Sequence, residues 1–197
     1  MNHRTLCSVV LVLLLAGTAS LSGQEALKDS EYFPLKVGTT WTYRTAGKQI
    51  VVKVAKHEKV GQTMCARLET SLDGNVLATE HVSVGKDGLY RHTALEKQAD
   101  PPVRFLALPP KKGEKWSVES KVAGQTIKAT FVLDEAEVTV PAGKYPAVLA
   151  RTEDFTVDSQ KLGLTSWYAK GVGPVKTVTK VAGQEVTVEL EKFEAGK

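Results

Sequence analysis

Two histidines and a cysteine are the residues of this 197-residue chain best suited to chemistry. His81 and His92 flank the turn Gly85-Lys86-Asp87-Gly88. A hairpin that pairs Val84 with Leu89 would set the two imidazoles directly opposite each other. Directly opposed residues of an antiparallel pair sit roughly 5 Å apart at Cβ, close enough to ligate one transition metal together. A third ligand is missing, because strand alternation sends Glu80 to the other face from His81. A bulge at Gly88 would also shift the register by one residue and undo the alignment. The metal reading of His81 and His92 therefore stands against a plainer one, two histidines on a polar strand face.

Cys65 shares a strand face with Arg67, whose charge could lower the thiol pKa, and a thiol with a histidine partner is the minimal set for nucleophilic catalysis. Free cysteine, however, is usually buried and behaves as a small hydrophobe, and that is the favoured reading. The chain has no G-x-S-x-G, H-E-x-x-H, C-x-x-C or G-x-x-x-x-G-K-[ST] motif. A protein that is not an enzyme and needs no cofactor is therefore expected, with a metal- or thiol-dependent envelope enzyme or a purely structural envelope component as the alternatives.

Four aromatic residues are candidates for binding. Trp41 and Tyr43 fall on one face of the first strand, whereas the adjacent Trp167 and Tyr168 fall on opposite faces. One of the latter pair is expected to pack with Trp41 in the core. Alternatively, Trp41, Tyr43, Trp167 and Tyr168 frame an apolar ligand groove inside a half-closed barrel.

The elements that must position these side chains read as β throughout. From Thr39 onward, apolar and polar residues alternate with period two, as in Met64/Ala66/Leu68 against Cys65/Arg67/Glu69. Ala46-Gly47, Asp73-Gly74, Asp87-Gly88, Ala123-Gly124 and Ala182-Gly183 separate such runs and supply the glycine that short hairpin turns need. Pro141 cannot donate to a ladder and should end the strand that reaches Val140. Glu25 to Tyr32 is the one short stretch with helical character. Lys121-Val122-Ala123-Gly124-Gln125 recurs as Lys180-Val181-Ala182-Gly183-Gln184, which reads as two similar hairpins rather than a duplicated half. The whole is all-β, an antiparallel meander of about a dozen strands. So many strands must curl, close or split into layers, giving a curved sheet, half-barrel, barrel or sandwich.

Residues 1–23 read as a cleaved signal peptide and 24–197 as a single β-domain. Arg4 precedes the apolar run Val9 to Ala16, which lasts about ten residues against the roughly 20 that a membrane span needs. Small residues then offer cleavage after Ala19 or Ser22. An exported product, periplasmic or secreted and without a membrane span after cleavage, is expected. The leader carries one basic residue and no acid, so the net charge of +4 falls only to +3. The lysines are scattered singly among acids, which argues against a nucleic-acid partner. The expected partner is an apolar small molecule or an envelope protein. With the leader gone Cys65 is the only cysteine, so stability must come from the core rather than an internal disulfide.

Three spaced signatures run through the chain: Tyr32-Phe33-Pro34-Leu35 with Gly38, Trp41 and Tyr43; Val140-Pro141-Ala142-Gly143-Lys144-Tyr145; and Trp167-Tyr168-Ala169-Lys170-Gly171-Val172-Gly173-Pro174-Val175-Lys176. In these it resembles bacterial exported β-sheet proteins of unknown function, which share a Y-F-P-L-x-x-G-x-x-W-x-Y start and a W-Y-A-x-G-V-G-x-V-K end. Those proteins are in turn loosely similar to the unclosed barrels that carry lipids or lipoproteins across the periplasm. Lipid-anchored members have a cysteine at the end of the leader, where this chain has none. The resemblance implies the β-fold and export, and it brings no activity with it.

Overall fold

The computed structural model describes residues 27–197, which form twelve strands and no helix. They are β1 Thr40–Thr45, β2 Lys48–Val60, β3 Thr63–Leu72, β4 Asn75–Val84, β5 Gly88–Ala94 and β6 Lys97–Ala107. The second half adds β7 Lys115–Val122, β8 Gln125–Val140, β9 Gly143–Val157, β10 Gln160–Ala169, β11 Gly173–Val181 and β12 Gln184–Glu194. Each strand pairs antiparallel with its neighbours in sequence, and β1 pairs with β12, so the meander closes into a barrel. The β1–β12 pairing covers the backbone groups that the first and last strands would otherwise expose at the sheet edges.

The Ala-Gly and Asp-Gly turns behave as the alternation requires. Ala46, Asp73, Ala123 and Ala182 each take positive φ in front of a positive-φ glycine, the turn whose twist matches that of the flanking strands. The two copies of Lys-Val-Ala-Gly-Gln form the β7–β8 and β11–β12 hairpin tips. Asp87-Gly88 differs from the expected hairpin turn. The chain reverses at Gly85 to Asp87, with Gly85 N–H donating to Gly88 O at 2.8 Å, and Gly88 already belongs to β5. Glycine is needed at 88 because a Cβ there would overlap the Leu106 carbonyl oxygen of β6. The short helix read at Glu25 to Tyr32 does not form over the described residues; a single bridge, Ser30 to Phe33, turns the chain instead. Asp29 accounts for this, since its side chain accepts from the backbone N–H groups of Ser30 and Leu35 and so favours a turn over a helix.

The β6–β7 seam is the thinnest in the barrel, with only Ala99–Val122 and Asp100–Lys121 in register. Pro101 and Pro102 have no N–H to donate. Side chains bridge the gap instead: Ser120 Oγ donates to Pro101 O at 2.7 Å and Trp116 Nε1 to Arg104 O at 2.9 Å.

Six hairpins point to one end of the barrel, and the N-terminal segment crosses the other. Gly38 N–H donates to Val54 O and Gly171 N–H to Glu31 O, which pins that segment across the end and buries Phe33 and Leu35. Inward-facing residues near this cap, among them Trp41, Leu89, Leu106 and Val175, are fully buried. Toward the hairpin tips the inward-facing Ile50, Leu164 and Val188 are only half-buried. Four of the most exposed large apolar side chains, Val76, Leu77, Leu95 and Val186, lie on those tips. The molecule is a cup with a sealed floor and an apolar rim.

Candidate functional site

A cavity of about 270 Å³ occupies the axis of the cup. Phe33 forms its floor, and Tyr43, Phe105, Phe131 and Tyr168 stand around it. The aromatic rings are tied in sequence: Phe33 meets Trp41 and Phe105 edge-on at 5.3 and 6.1 Å between centroids, and Phe105 lies 6.4 Å from Tyr168. Into this apolar setting project two charges, Glu80 from β4 and Arg91 from β5. Arg91 Nε donates to Glu80 Oε2 at 2.5 Å, and the guanidinium carbon sits 5.2 Å from the centroid of the Phe105 ring. Although Arg91 lies inside the barrel, 36% of its side-chain surface is free, and that surface faces the cavity.

The charges and phenols shape one another. Burial pushes the Tyr43 phenol well above its ordinary range, and the nearby Tyr168 and Glu80 raise it further. Burial likewise pushes Tyr168 up to about 12, with Arg91 opposing the shift and Glu80 adding to it. Glu80 raises the Arg91 pKa, so the guanidinium stays charged. A second chamber of about 100 Å³ adjoins the first, sharing Arg91, Phe105, Phe131 and Leu164. Apart from Arg91 its walls are aliphatic and aromatic, as at Ala99, Val118, Ile127 and Phe155.

Of the four aromatic candidates, the structure brings two to the cavity. Tyr43 and Tyr168 line it, and Tyr43 Oη donates to Pro174 O at 2.8 Å. Trp41 lies below them, fully buried, with Nε1 donating to Val172 O at 2.7 Å. Trp167 is half-buried on the opposite face from Tyr168, with the Lys176 ammonium 5.9 Å from its ring centroid. Tyr168 of the pair thus belongs with Trp41 to the buried core, whereas Trp167 packs against that core only in part and takes no part in the cavity.

His81 and His92 are not direct cross-strand partners, contrary to the expected register. Val84–Leu89, Ser83–Tyr90 and Val82–Arg91 pair as the turn predicts, but a bulge then sets His81 against Thr93 and leaves His92 as the extra residue. The bulge lies five residues from the turn, where the turn sequence carries no signal of it. His81 bonds Thr93 Oγ1 through Nδ1 at 2.8 Å and Glu58 Oε1 through Nε2 at 2.9 Å, while His92 Nε2 bonds Ser83 Oγ at 2.8 Å. Both imidazoles spend ring nitrogens on neighbouring side chains. Among the described residues no group of three or more His, Cys, Asp or Glu could hold a metal ion. Cys65 is fully buried, and burial pushes its thiol up to about 11, away from the thiolate that nucleophilic chemistry requires.

The barrel is similar to two solved bacterial structures. One is a candidate lipoprotein from Parabacteroides distasonis, 12% identical, covering 85% of this chain and 100% of that one with a TM-score of 0.47. The other is a candidate exported protein with YmcC-like fold from Bacteroides fragilis, 13% identical, covering 82% of this chain and 98% of that one with a TM-score of 0.49. No family model matches the chain, and no curated protein matches its sequence.

Sequence reasoning passed over the two charged residues that distinguish the cavity. The sequence pattern relates Glu80 only to His81 and singles out no role for Arg91. The signal was available in the alternation: Arg91 shares its face with Leu89, and Glu80 shares its face with Val82, both fully buried core residues. Two opposite charges on the apolar faces of adjacent strands are the mark of a paired, inward-facing site.

Proposed function

We propose that this is an exported, non-enzymatic binding protein that takes an apolar small molecule into the cup. One observation carries the reading, the axial cavity of about 270 Å³ with aromatic walls, a sealed floor and an opening between the hairpin tips. Side chains just fill a barrel of about eight strands, and wider barrels enclose cavities; concave, mostly apolar cavities with a few convergent polar groups are the usual form of small-molecule sites. The apolar rim at Val76, Leu77, Leu95 and Val186 suits the passage of such a molecule. Export rests on the leader pattern of residues 1–23, which lie outside the described residues. The absence of a thiolate at Cys65 and of a paired His81–His92 site favours binding over catalysis.

Native mass spectrometry of the protein purified from its own host tests this. A stoichiometric apolar adduct is expected on the wild type and is expected to be lost from Leu164→Trp, which fills the junction of the two chambers. A bare mass, together with failure to take up added octanol, would overturn the reading.

A further inference from the structure

Arg91 stands between two unlike chambers. On one side the cavity walls carry Glu80, Tyr43, Tyr168 and the hydroxyls of Ser166 and Thr177; on the other they are aliphatic and aromatic throughout. A wholly apolar ligand would leave the uncommitted N–H groups of Arg91 in the first chamber without partners, and a wholly polar one would desolvate badly in the second. A molecule with a polar head and an apolar tail satisfies both.

The head's charge follows from counting donors. A guanidinium carries five N–H groups, and Arg91 commits one of them, Nε, to Glu80. The free surface of the side chain, 36%, faces the cavity and exceeds the 26% of Glu80, whose carboxylate is held by the same bond. Ser166 and Thr177 place hydroxyl oxygens 3.2 Å apart on the wall, where one donates to the other and one hydroxyl hydrogen of the pair stays available. The more exposed of the two charged groups in the cavity is thus a donor, the Arg91 guanidinium. Guanidinium N–H groups suit a planar or tetrahedral oxyanion, and charge-assisted bonds to one are roughly twice as strong as neutral ones. The two chambers, at about 30 Å³ per water-sized group, hold a ligand of roughly a dozen heavy atoms.

We propose that the ligand is an amphipathic anion, a carboxylate or phosphate on a short apolar chain, held by its head at the free N–H groups of Arg91 with its tail in the Phe155 chamber. This rests on the cavity being a binding site, and the test separates the two. Octanoate, octyl phosphate, octanol and octylamine are titrated by calorimetry into the full-length mature protein. Both readings predict that at least one binds. The anionic reading predicts octanoate or octyl phosphate at least tenfold tighter than octanol, with octylamine weakest; the tighter anion names the head. Glu80→Gln/Arg91→Gln removes the pair without stranding a charge. It is expected to bring the anion affinity down to that of octanol while octanol itself binds within about threefold of wild type. Octanol binding as tightly as both anions, octylamine binding tightest, or an anion preference that survives the double variant would overturn the anionic head while leaving the cavity reading intact. Binding of none of the four would overturn both.

Discussion

The indole of Trp41 donates to the carbonyl oxygen of Val172 at 2.7 Å, joining the first strand to the turn between the tenth and eleventh. Gly173 follows that carbonyl at φ +95°, and a Cβ there would come within 3.3 Å of Pro34 and 3.4 Å of the Trp41 ring nitrogen. Two residues on, Tyr43 Oη donates to Pro174 O at 2.8 Å. The Tyr-Phe-Pro-Leu start and the Gly-Val-Gly-Pro end are therefore one structural unit, the latch that seals the floor of the cup. Trp41→Phe removes the donor and leaves the Val172 carbonyl buried without a partner, as well as a gap beside Phe33. A loss of about 2–3 kcal/mol is expected in urea unfolding with an unchanged slope. A loss below about 0.5 kcal/mol would show that the latch does not hold the floor.

How much of this was legible beforehand varies by element. The strands and four of the hairpin turns follow from alternation and Gly placement, because a buried face with period two and a positive-φ glycine are local properties. The strand that reaches Val140 is the sixteen-residue β8, which runs on through the polar Asp134 and Glu135. The Leu95-Glu96 turn carries no such signal, because both residues take positive φ without a glycine. Closure of the sheet is a global property, set by how twist accumulates over twelve strands, and no local pattern encodes it. The bulge that parts His81 from His92 is of the same kind.

The cavity phenols make a prediction in alkali. Tyr43 and Tyr168 have pKa values raised by burial, that of Tyr168 from 10.0 to about 12. Above pH 10 the unfolded chain loses these protons while the folded one keeps them, so stability is intact below pH 10 and falls as pH rises through the folded values. Tyrosinate absorbance should therefore show a late step that coincides with unfolding, and Tyr43→Phe/Tyr168→Phe should abolish it. Early, fully reversible ionisation of all five tyrosines in the folded protein would contradict the buried placement.

On the acid side the outer-face cluster around His81 governs the response. The hydrogen bond from His81, followed by that from Lys56, lowers Glu58 from 4.5 to about 2. Its contribution is present above pH 4.5 and is lost as pH falls toward 2. Burial, with the nearby His81 adding, lowers the His92 pKa below 6.5. The unfolded chain then takes up a proton that the folded one refuses, so stability also falls as pH drops below 6.5. Melting temperature against pH should decline in two stages. His92→Gln is expected to flatten the upper stage and Glu58→Gln the lower, and a single stage untouched by either variant would remove the cluster from the acid response.

The β6–β7 seam should be where the barrel opens first. Its two registered pairs contrast with the thirteen of β8–β9, and two prolines deny it backbone donors. What remains are the bonds from Ser120 Oγ and Trp116 Nε1, each worth about 1 kcal/mol net, with the Arg104 guanidinium 5.0 Å from the Trp116 ring centroid. Opening free energies from amide exchange should therefore be lowest in Ala99–Ala107 and Lys115–Val122 and approach the global value in β8 and β9. Ser120→Ala/Trp116→Phe should speed exchange along the seam by about tenfold or more, while β8 and β9 change only by the smaller factor set by the loss of global stability. The second chamber lies beneath this seam, lined by Ala99, Val103, Val118 and Val122, so a ligand tail seated there should slow exchange at the same amides. Uniform acceleration in every strand would mean instead that the barrel opens only as a whole, and that the seam, however thin in backbone bonds, is held as firmly as the rest by the side chains packed against it.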